Sequence, residues 1–397
     1  MLIKINKEML GEAIASIGVH PASMPIFNAK SAVVPLKLLK VRTPAANIIK
    51  QEMLAAGGDA AVPSGTVVCK DKYVDVLLLG TVKHYNLLLH KLAQMNYFGM
   101  DKIAEELRAV VTPQLPQTVL ADGRVLSYEK MRVMGILNVT PDSFYEKSRL
   151  ANIDQVLRRA EDMLRSGADI LDVGGESTRP GSESVDGDEE RRRVLPVIRA
   201  LRTKFPQAIL SVDTYRAQTA AEAIAVGADI INDVSAMEAD AAMAETVVAS
   251  NAPVILMHMR GTPKNMQQQC EYKNVVEDVA VYLQGRAGVL RERGVGADKI
   301  ILDPGIGFAK NNQQNLLLIR DLHVLTSFGY PVLLAASRKR TIGAVLGDLP
   351  EEERLEGTIA ASLQAVYSGA QIIRVHDVKE NVRAVRMLEA ILWPEKI

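Results

Sequence analysis

Polar and charged residues close a series of short apolar runs in this chain. Asn138 ends MGILN, Asp213 ends ILSVD, Asn232 and Asp233 end DIIND, and His258 follows VILM with Arg260 beyond it. Asp303 ends IILD; Ser337, Arg338 and Lys339 follow LLAA; Arg374, His376 and Asp377 lie in IIRVHDV. Asn138, Arg179, Lys339, Arg374 and His376 can neutralise and hydrogen-bond phosphate oxygens. Asn138 can also give an amide oxygen to Mg2+, an ion that takes few protein ligands when it arrives with substrate phosphates. Asp213, Asn232 and Asp303 can read a heterocycle that presents several N–H groups and a carbonyl. Together the residues suit a flat, nitrogen-rich ring with an anionic tail. Neither a Ser-His-Asp nor a Cys-His arrangement is evident, so activation must reside in the substrate, for example in a diphosphate leaving group.

Taken singly, each of these residues has a plainer reading. An Asp or Asn after a strand is usually a turn residue or a helix N-cap. His258 alone reads as a satisfied structural histidine, and Arg191 to Arg193 in DEERRRV as a solvated helix face. What favours a site is that all the runs share one kind of address. SGADILDV, VGADIIND, VGADKIILD and SGAQIIRV each place Gly-Ala at the end of a helical pattern, then a β-branched run, then a polar residue. The glycine suits the left-handed residue that ends a helix, and the run suits a strand buried on both faces. Reading outward from these junctions predicts strands near 132–138, 169–174, 208–213, 229–233, 253–258, 299–303, 331–336 and 371–376. Helical patterns such as IDQVLRRAEDMLRSG separate most of them. Eight βα units predict a (β/α)8 barrel, whose strand C-termini open onto one mouth. A doubly wound open sheet is the alternative, and the lack of a Gly-x-Gly-x-x-Gly turn counts against it.

The 397 residues are enough for two domains. Residues 1–115 read as a small N-terminal α/β domain of unknown function, 116–129 as a linker and hairpin that plugs the barrel floor, and 130–397 as the barrel. In the first part, VVPLKLLKVRTPAANIIKQEML reads as strand then helix. GTVVCKDKYVDVLLLGTVKHYNLLLHKLAQM reads as a hairpin or two strands, then a helix, and MDKIAEELRAVV as a further helix. Lys plus Arg and Asp plus Glu both number 47, a balance that argues against nucleic acid or an anionic membrane as partner. Cys69 and Cys270 have no metal-site spacing, no apolar run is long enough for a membrane span, and the expected location is the cytoplasm.

From about Lys130 to Ile397 the chain resembles the dihydropteroate synthases, a pterin-binding family of the folate pathway. The resemblance rests on MGILNVTPDSF, DVGGESTRPGS, SVDT, IINDVS, ILMHMRGTP, ILDPGIGF, AASRKR, GTIAAS and RVHDV, which occur in the family's order. It implies a TIM barrel that condenses 6-hydroxymethyl-7,8-dihydropterin diphosphate with p-aminobenzoate, releasing dihydropteroate and diphosphate. It further implies Mg2+ as cofactor, small molecules as substrates, a homodimer, and a target for sulfonamides. Asp213, Lys339, Arg374 and His376 then match catalytic positions. Asp213, Asn232, Asp303 and Lys339, with Met257 and Phe308 as apolar walls, match the pterin pocket. Asn138, Arg374 and His376 match the diphosphate and metal side; Thr178, Arg179 and Ser337 match the p-aminobenzoate side. YEKSR after TPDSF departs from the glycine-rich continuation of many relatives, which bears on how the first loop orders. The competing expectations are a pterin-dependent methyltransferase on the same barrel, and a catalytically silent pterin-binding module.

Overall fold

The computed structural model describes residues 10–139, 149–176, 185–262 and 265–396. The chain divides into two compact units, Met1–Gln114 and Leu115–Ile397. In the first, α1 (Leu10–Ser16) and α2 (Met24–Asn28) precede β1 (Val34–Arg42), α3 (Thr43–Ala55), β2 (Asp59–Ala61), β3 (Tyr73–Gly80), α4 (Val82–Leu92) and α5 (Met100–Val111). The strands form an antiparallel sheet in the order β1-β3-β2. Along β3, alternation buries Val74, Val76 and Leu78 and exposes Tyr73, Asp75, Leu77 and Leu79. Ile49, Met53, Tyr85, Leu88 and Leu107 from the helices join the buried face in one core. The strand-then-helix reading of β1 and α3 holds, but the two strands expected across 65–80 are one. Gly65–Lys70 is a turn, closed by Lys70 N to Gly65 O at 3.2 Å and Cys69 N to Thr66 O at 3.0 Å. Val67 and Val68 are exposed there, with no apolar face to alternate against.

The second unit begins with a hairpin, β4 (Gln117–Val119) and β5 (Val125–Ser127). Eight parallel strands follow: β6 (Arg132–Asn138), β7 (Ile170–Gly174), β8 (Ile209–Asp213), β9 (Ile230–Asp233), β10 (Val254–Met257), β11 (Ile300–Asp303), β12 (Leu333–Leu334) and β13 (Ile372–Val375). Their order, β11-β10-β9-β8-β7-β6-β13-β12, is closed by a bridge between Leu302 and Val332. The closed ring excludes the doubly wound alternative. The helices are α6 (Arg149–Arg165), α7 (Gly187–Lys204), α8 (Ala217–Ala225), α9 (Met243–Ser250), α10 (Val275–Glu292), α11 (Asn312–Arg320), α12 (His323–Thr326), α13 (Arg340–Val345), α14 (Leu355–Tyr367) and α15 (Val378–Leu392). Polar caps start several of them: Asp186 accepts from Asp188 N, Asn274 from Val276 N, and Asn311 from Gln314 N.

Strand seven is shorter than the 331–336 expected. Beside it Gln371 lends its side-chain oxygen to Val332 N at 2.8 Å, so a side chain fills part of the ladder at the seam.

The period of two sorts each barrel strand into an outward and an inward set. Outward residues such as Val133, Leu171, Val212, Ile231, Leu256 and Ile373 pack in the helix–sheet core. One inward layer is formed by Met134, Ile170, Ile209, Ile230, Ile255, Ile301, Leu333 and Ile372, and all are apolar. Leu120, Leu126 and Tyr128 from the hairpin complete that cluster, so the barrel floor is plugged. Fully burying an aliphatic side chain of this size is worth about 1.5–3 kcal/mol, which makes the floor a rigid base. Charged side chains pin the plug as well: Arg132 Nε donates to Ser127 O at 2.7 Å and Lys299 Nζ to Leu120 O at 3.2 Å.

Candidate active site

Two residues further along each strand the interior changes character. The next inward positions are Ile136, Asp172, Ser211, Asn232, Met257, Asp303, Ala335 and Arg374. Asp172 is fully buried, and its Oδ2 accepts from Arg374 Nε at 2.6 Å and Asn232 Nδ2 at 3.1 Å. Arg374 Nη2 donates to Asp213 Oδ2 at 2.8 Å. Four strands thus contribute to one charge-assisted chain, Asn232–Asp172–Arg374–Asp213. Burial works against the charge of Arg374, and Asp172 and then Asp213 more than offset it. Burial pushes Asp213 up to about 7, against the pull of Arg374 and with the push of Asp172. Burial likewise pushes Asp303 up to about 6, while Gly305 N, donating to its Oδ1 at 2.7 Å, and the Lys339 charge hold it back. Carboxyls poised in this range suit a ligand whose N–H donors complete them.

The rim lies one step nearer solvent. Asn138, Gly174 and Asp213 are register partners on three adjacent strands. A Cβ on Gly174 would sit 3.9 Å from Asn138 Oδ1 and 3.7 Å from Asp213 Oδ2, so the glycine leaves the two polar groups facing across a gap. Ser337 Oγ lies 3.0 Å from His376 Nδ1 and accepts from His376 N at 3.2 Å. Lys339, where α13 begins, places Nζ 4.5 Å from the Phe308 ring centroid, a cation–π contact. Phe308 and Met257 belong to an apolar cluster with Val234, Met266 and Ala309, which forms one wall.

The structure therefore joins Asp213, Asn232 and Arg374 directly, pairs Ser337 with His376 and Lys339 with Phe308, and sets Asp303 within the field of Lys339 and Arg374. Arg374 has a task that its sequence position did not show, since it orients two carboxylates inside the barrel. Thr178 and Arg179, and Tyr145–Ser148 of the YEKSR departure, lie outside the described residues. Described side chains do fasten the stem before Thr178. Glu176 takes Arg216 Nη1 at 2.8 Å, and the same nitrogen lies 3.0 Å from buried Glu190. Arg193 Nη1 donates to Gly175 O at 2.9 Å. The expected solvated face over Arg191–Arg193 is thus corrected: Arg193 is 8% exposed, and it points inward to clamp the end of β7. His258 is structural as expected; it is buried, with Nδ1 2.9 Å from Lys310 Nζ. Burial drives His258 down to about 2 and Lys310 down to about 7.

Asp172 and Lys310 escaped sequence reasoning. Asp172 sits inside DILDVGG, two residues past Ile170, and only strict attention to the period of two would have marked it as an acid facing inward. Lys310 follows a glycine loop and carries no pattern of its own. Among the described residues no cluster of three His, Cys, Asp or Glu could hold a metal, and no helix is long and apolar enough to cross a membrane.

A family model described as pterin binding enzyme matches residues 134–376, within the barrel unit. The dihydropteroate synthase of Bacillus subtilis is 46% identical over 277 residues, covering 70% of this chain and 94% of that protein. Two solved structures superpose on the chain. The Xanthomonas albilineans dihydropteroate synthase with 4-aminobenzoic acid has a TM-score of 0.65 and 38% identity, covering 70% of this chain and 98% of that one. The Burkholderia cenocepacia enzyme complexed with 7,8-dihydropteroate has a TM-score of 0.64 and 39% identity, covering 71% of this chain and 98% of that one. The shared barrel, the matched length and the identity agree: the chain belongs to the pterin-binding enzyme family, among its dihydropteroate synthases.

Proposed function

We propose that the barrel joins 6-hydroxymethyl-7,8-dihydropterin diphosphate to p-aminobenzoate, giving 7,8-dihydropteroate and diphosphate, with the residue roles that follow. The observation that carries this reading is the inward polar set, in which Asp213, Asn232 and Asp303 offer hydrogen-bond partners to one flat ring beside Phe308 and Lys339. Asp303 and Asn232 bind the pterin edge, and Phe308 and Met257 cover its apolar surface. Lys339 lies over the same wall and sets the ring's orientation. His376 and Asn138, at the rim, face the diphosphate. As the bond from the exocyclic methylene to the diphosphate oxygen breaks, that oxygen keeps the electron pair and positive charge develops on the methylene. The Asp213 carboxylate stabilises that charge, held in place by Arg374. The p-aminobenzoate nitrogen then attacks the methylene and loses a proton. Ser337, with Thr178 and Arg179, serves the p-aminobenzoate side.

Mg2+ fits the donors present. Asn138 offers one exposed amide oxygen at a strand end, and a hard cation that brings diphosphate oxygens needs few protein ligands. Asn138 would hold the ion, which would neutralise charge on the leaving diphosphate. Exposed Tyr367 on α14 and Met387 and Ile391 on α15 give the barrel an apolar face suited to a homodimer, measurable by sedimentation. Both cysteines are free thiols, in keeping with a reducing cytoplasm.

The deciding experiment is diphosphate release that requires both the pterin diphosphate and p-aminobenzoate, with sulfonamide as competitor. Methyl transfer from methyltetrahydrofolate to a cobalamin acceptor in place of that activity would overturn the reading.

A further inference from the structure

The segment Gly305–Ala309, just after β11, takes positive φ at Gly305, Gly307 and Ala309. Its carbonyls turn to side chains. Gly307 O accepts from Gln267 Nε2 at 3.2 Å and Ala309 O from Tyr272 Oη at 3.0 Å. Lys310 itself bends back. Its Nζ reaches Phe308 O at 2.8 Å, Gly305 O at 3.0 Å, His258 O at 3.3 Å and His258 Nδ1 at 2.9 Å. An ammonium has three N–H donors, so four acceptors saturate it. Lys310 is 2% exposed, and the oxygens replace the water it lost on burial. The fit is close: a Cβ on Gly305 would lie 2.0 Å from His258 O, so only glycine passes there.

Three parts of the pterin half of the site hang on this segment. Gly305 N fixes Asp303 Oδ1, and Phe308 supplies the wall beneath Lys339 Nζ. Gly307, held at a φ of +85° that disfavours a side chain, lies beside the Lys339 stem, in van der Waals range of its Cδ. Asn315 Oδ1 accepts from Gly307 N at 2.8 Å and its Nδ2 donates to Thr341 Oγ1 at 2.9 Å, tying the segment to the start of α13.

We propose that Lys310 is a positioning residue for the pterin half of the site: its buried side-chain nitrogen gathers the carbonyls of the segment after β11 and so presets Asp303, Phe308 and Lys339 for the ring. The proposal rests on the synthase reading above. Lys310 touches no substrate, and its effect is confined to the half of the site this segment builds.

The test uses the full chain with Lys310→Met, which keeps the stem and removes the donors. KM for the pterin diphosphate should rise about tenfold or more while KM for p-aminobenzoate stays within about threefold. Calorimetric affinity for a dihydropterin should fall by a similar factor. Tyr272→Phe removes a single donor to the same segment at a partly exposed site, and should shift pterin affinity about threefold in the same sense. It decides the matter if Lys310→Met does not fold. Equal rises in both KM values, a loss in kcat alone, or unchanged pterin affinity in the folded variants would overturn the proposal. A wild-type chain that neither binds pterin nor releases diphosphate would instead sink the synthase reading, and this proposal with it.

Discussion

Two sets of side chains share the barrel interior, separated by two residues along each strand. The lower set, from Met134 round to Ile372, is apolar without exception and is sealed by Leu120, Leu126 and Tyr128. The upper set contains Asp172, Ser211, Asn232, Asp303 and Arg374 on the same strands. The lower set gains stability from burial and does no chemistry. The upper set holds buried charge, which costs free energy unless it is paired. The barrel keeps charged groups out of bulk water by setting a polar ring on a stiff apolar floor: Asp172, Arg374 and Asp213 answer one another across strands, and Asp303 is held by Gly305 N just beyond its own strand. Ser211 Oγ and Asp172 Oδ1 have no protein partner within that ring and mark where its polar capacity is left over for water or ligand.

The sharpest way to break the upper set is Arg374→Ala. From sequence alone, a strand-end arginine looks removable without harm to the fold. In the structure its loss leaves Asp172 and Asp213 as unanswered carboxylates, and breaking such a buried pair costs about 3–5 kcal/mol. Urea unfolding should show that loss together with abolished turnover; unchanged stability would mean the ring is not coupled. In the lower set, Ile301→Ala opens a cavity where the side chain is fully buried. It should cost about 2–5 kcal/mol by urea unfolding while KM for both substrates stays within about twofold. A large change in KM would show that the floor also tunes the site.

Lys339→Ala should act on chemistry more than on the fold. Loss of a charge-assisted contact of about 1.5–3 kcal/mol corresponds to about ten- to a hundredfold in kcat/KM, with thermal unfolding nearly unchanged. Wild-type kcat/KM in that variant would remove Lys339 from the site. The last test concerns pH. Burial raises Asp213 to about 7 and Asp303 to about 6, from an ordinary value of 3.8. Between the ordinary value and the raised ones the native state holds protons that the unfolded chain has released, so ligand-free stability is fullest below the ordinary value. It declines as pH rises from there through 6 and 7. Asp213→Asn should flatten that decline, read as urea midpoints across the range. A slope equal to wild type would argue that Asp213 titrates normally.

Much of the barrel was legible because its signals are local. The Gly-Ala junctions that end helices, the β-branched runs that follow and the polar residue closing each run all lie within a few residues of one another. They placed seven of the eight strands to within a residue or so at each end. Strand seven came out short, and at its start the side chain of Gln371 takes the bond from Val332 N that a neighbouring strand's carbonyl would otherwise take. The turn at Gly65–Lys70 was misread because two valines in a row look like a strand whether or not a face exists to bury them.

The strands, their polar ends, the common mouth and, through long motifs, the family are written in local stretches of the chain. Which charges answer which depends on how distant stretches meet. Asp172 and Arg374 stand 202 residues apart and meet because the closed sheet sets the second and eighth strands on either side of the first. Lys310 reads as an ordinary surface lysine until the curl of its segment wraps four acceptors around it. Arg193 reads as one of three solvated arginines until the end of β7 arrives beneath it. Periodicity reports which face a residue occupies, because that depends on the two or four residues beside it. Pairing and burial of charge depend on elements brought together by closure of the barrel, and no spacing within a single strand or helix encodes that.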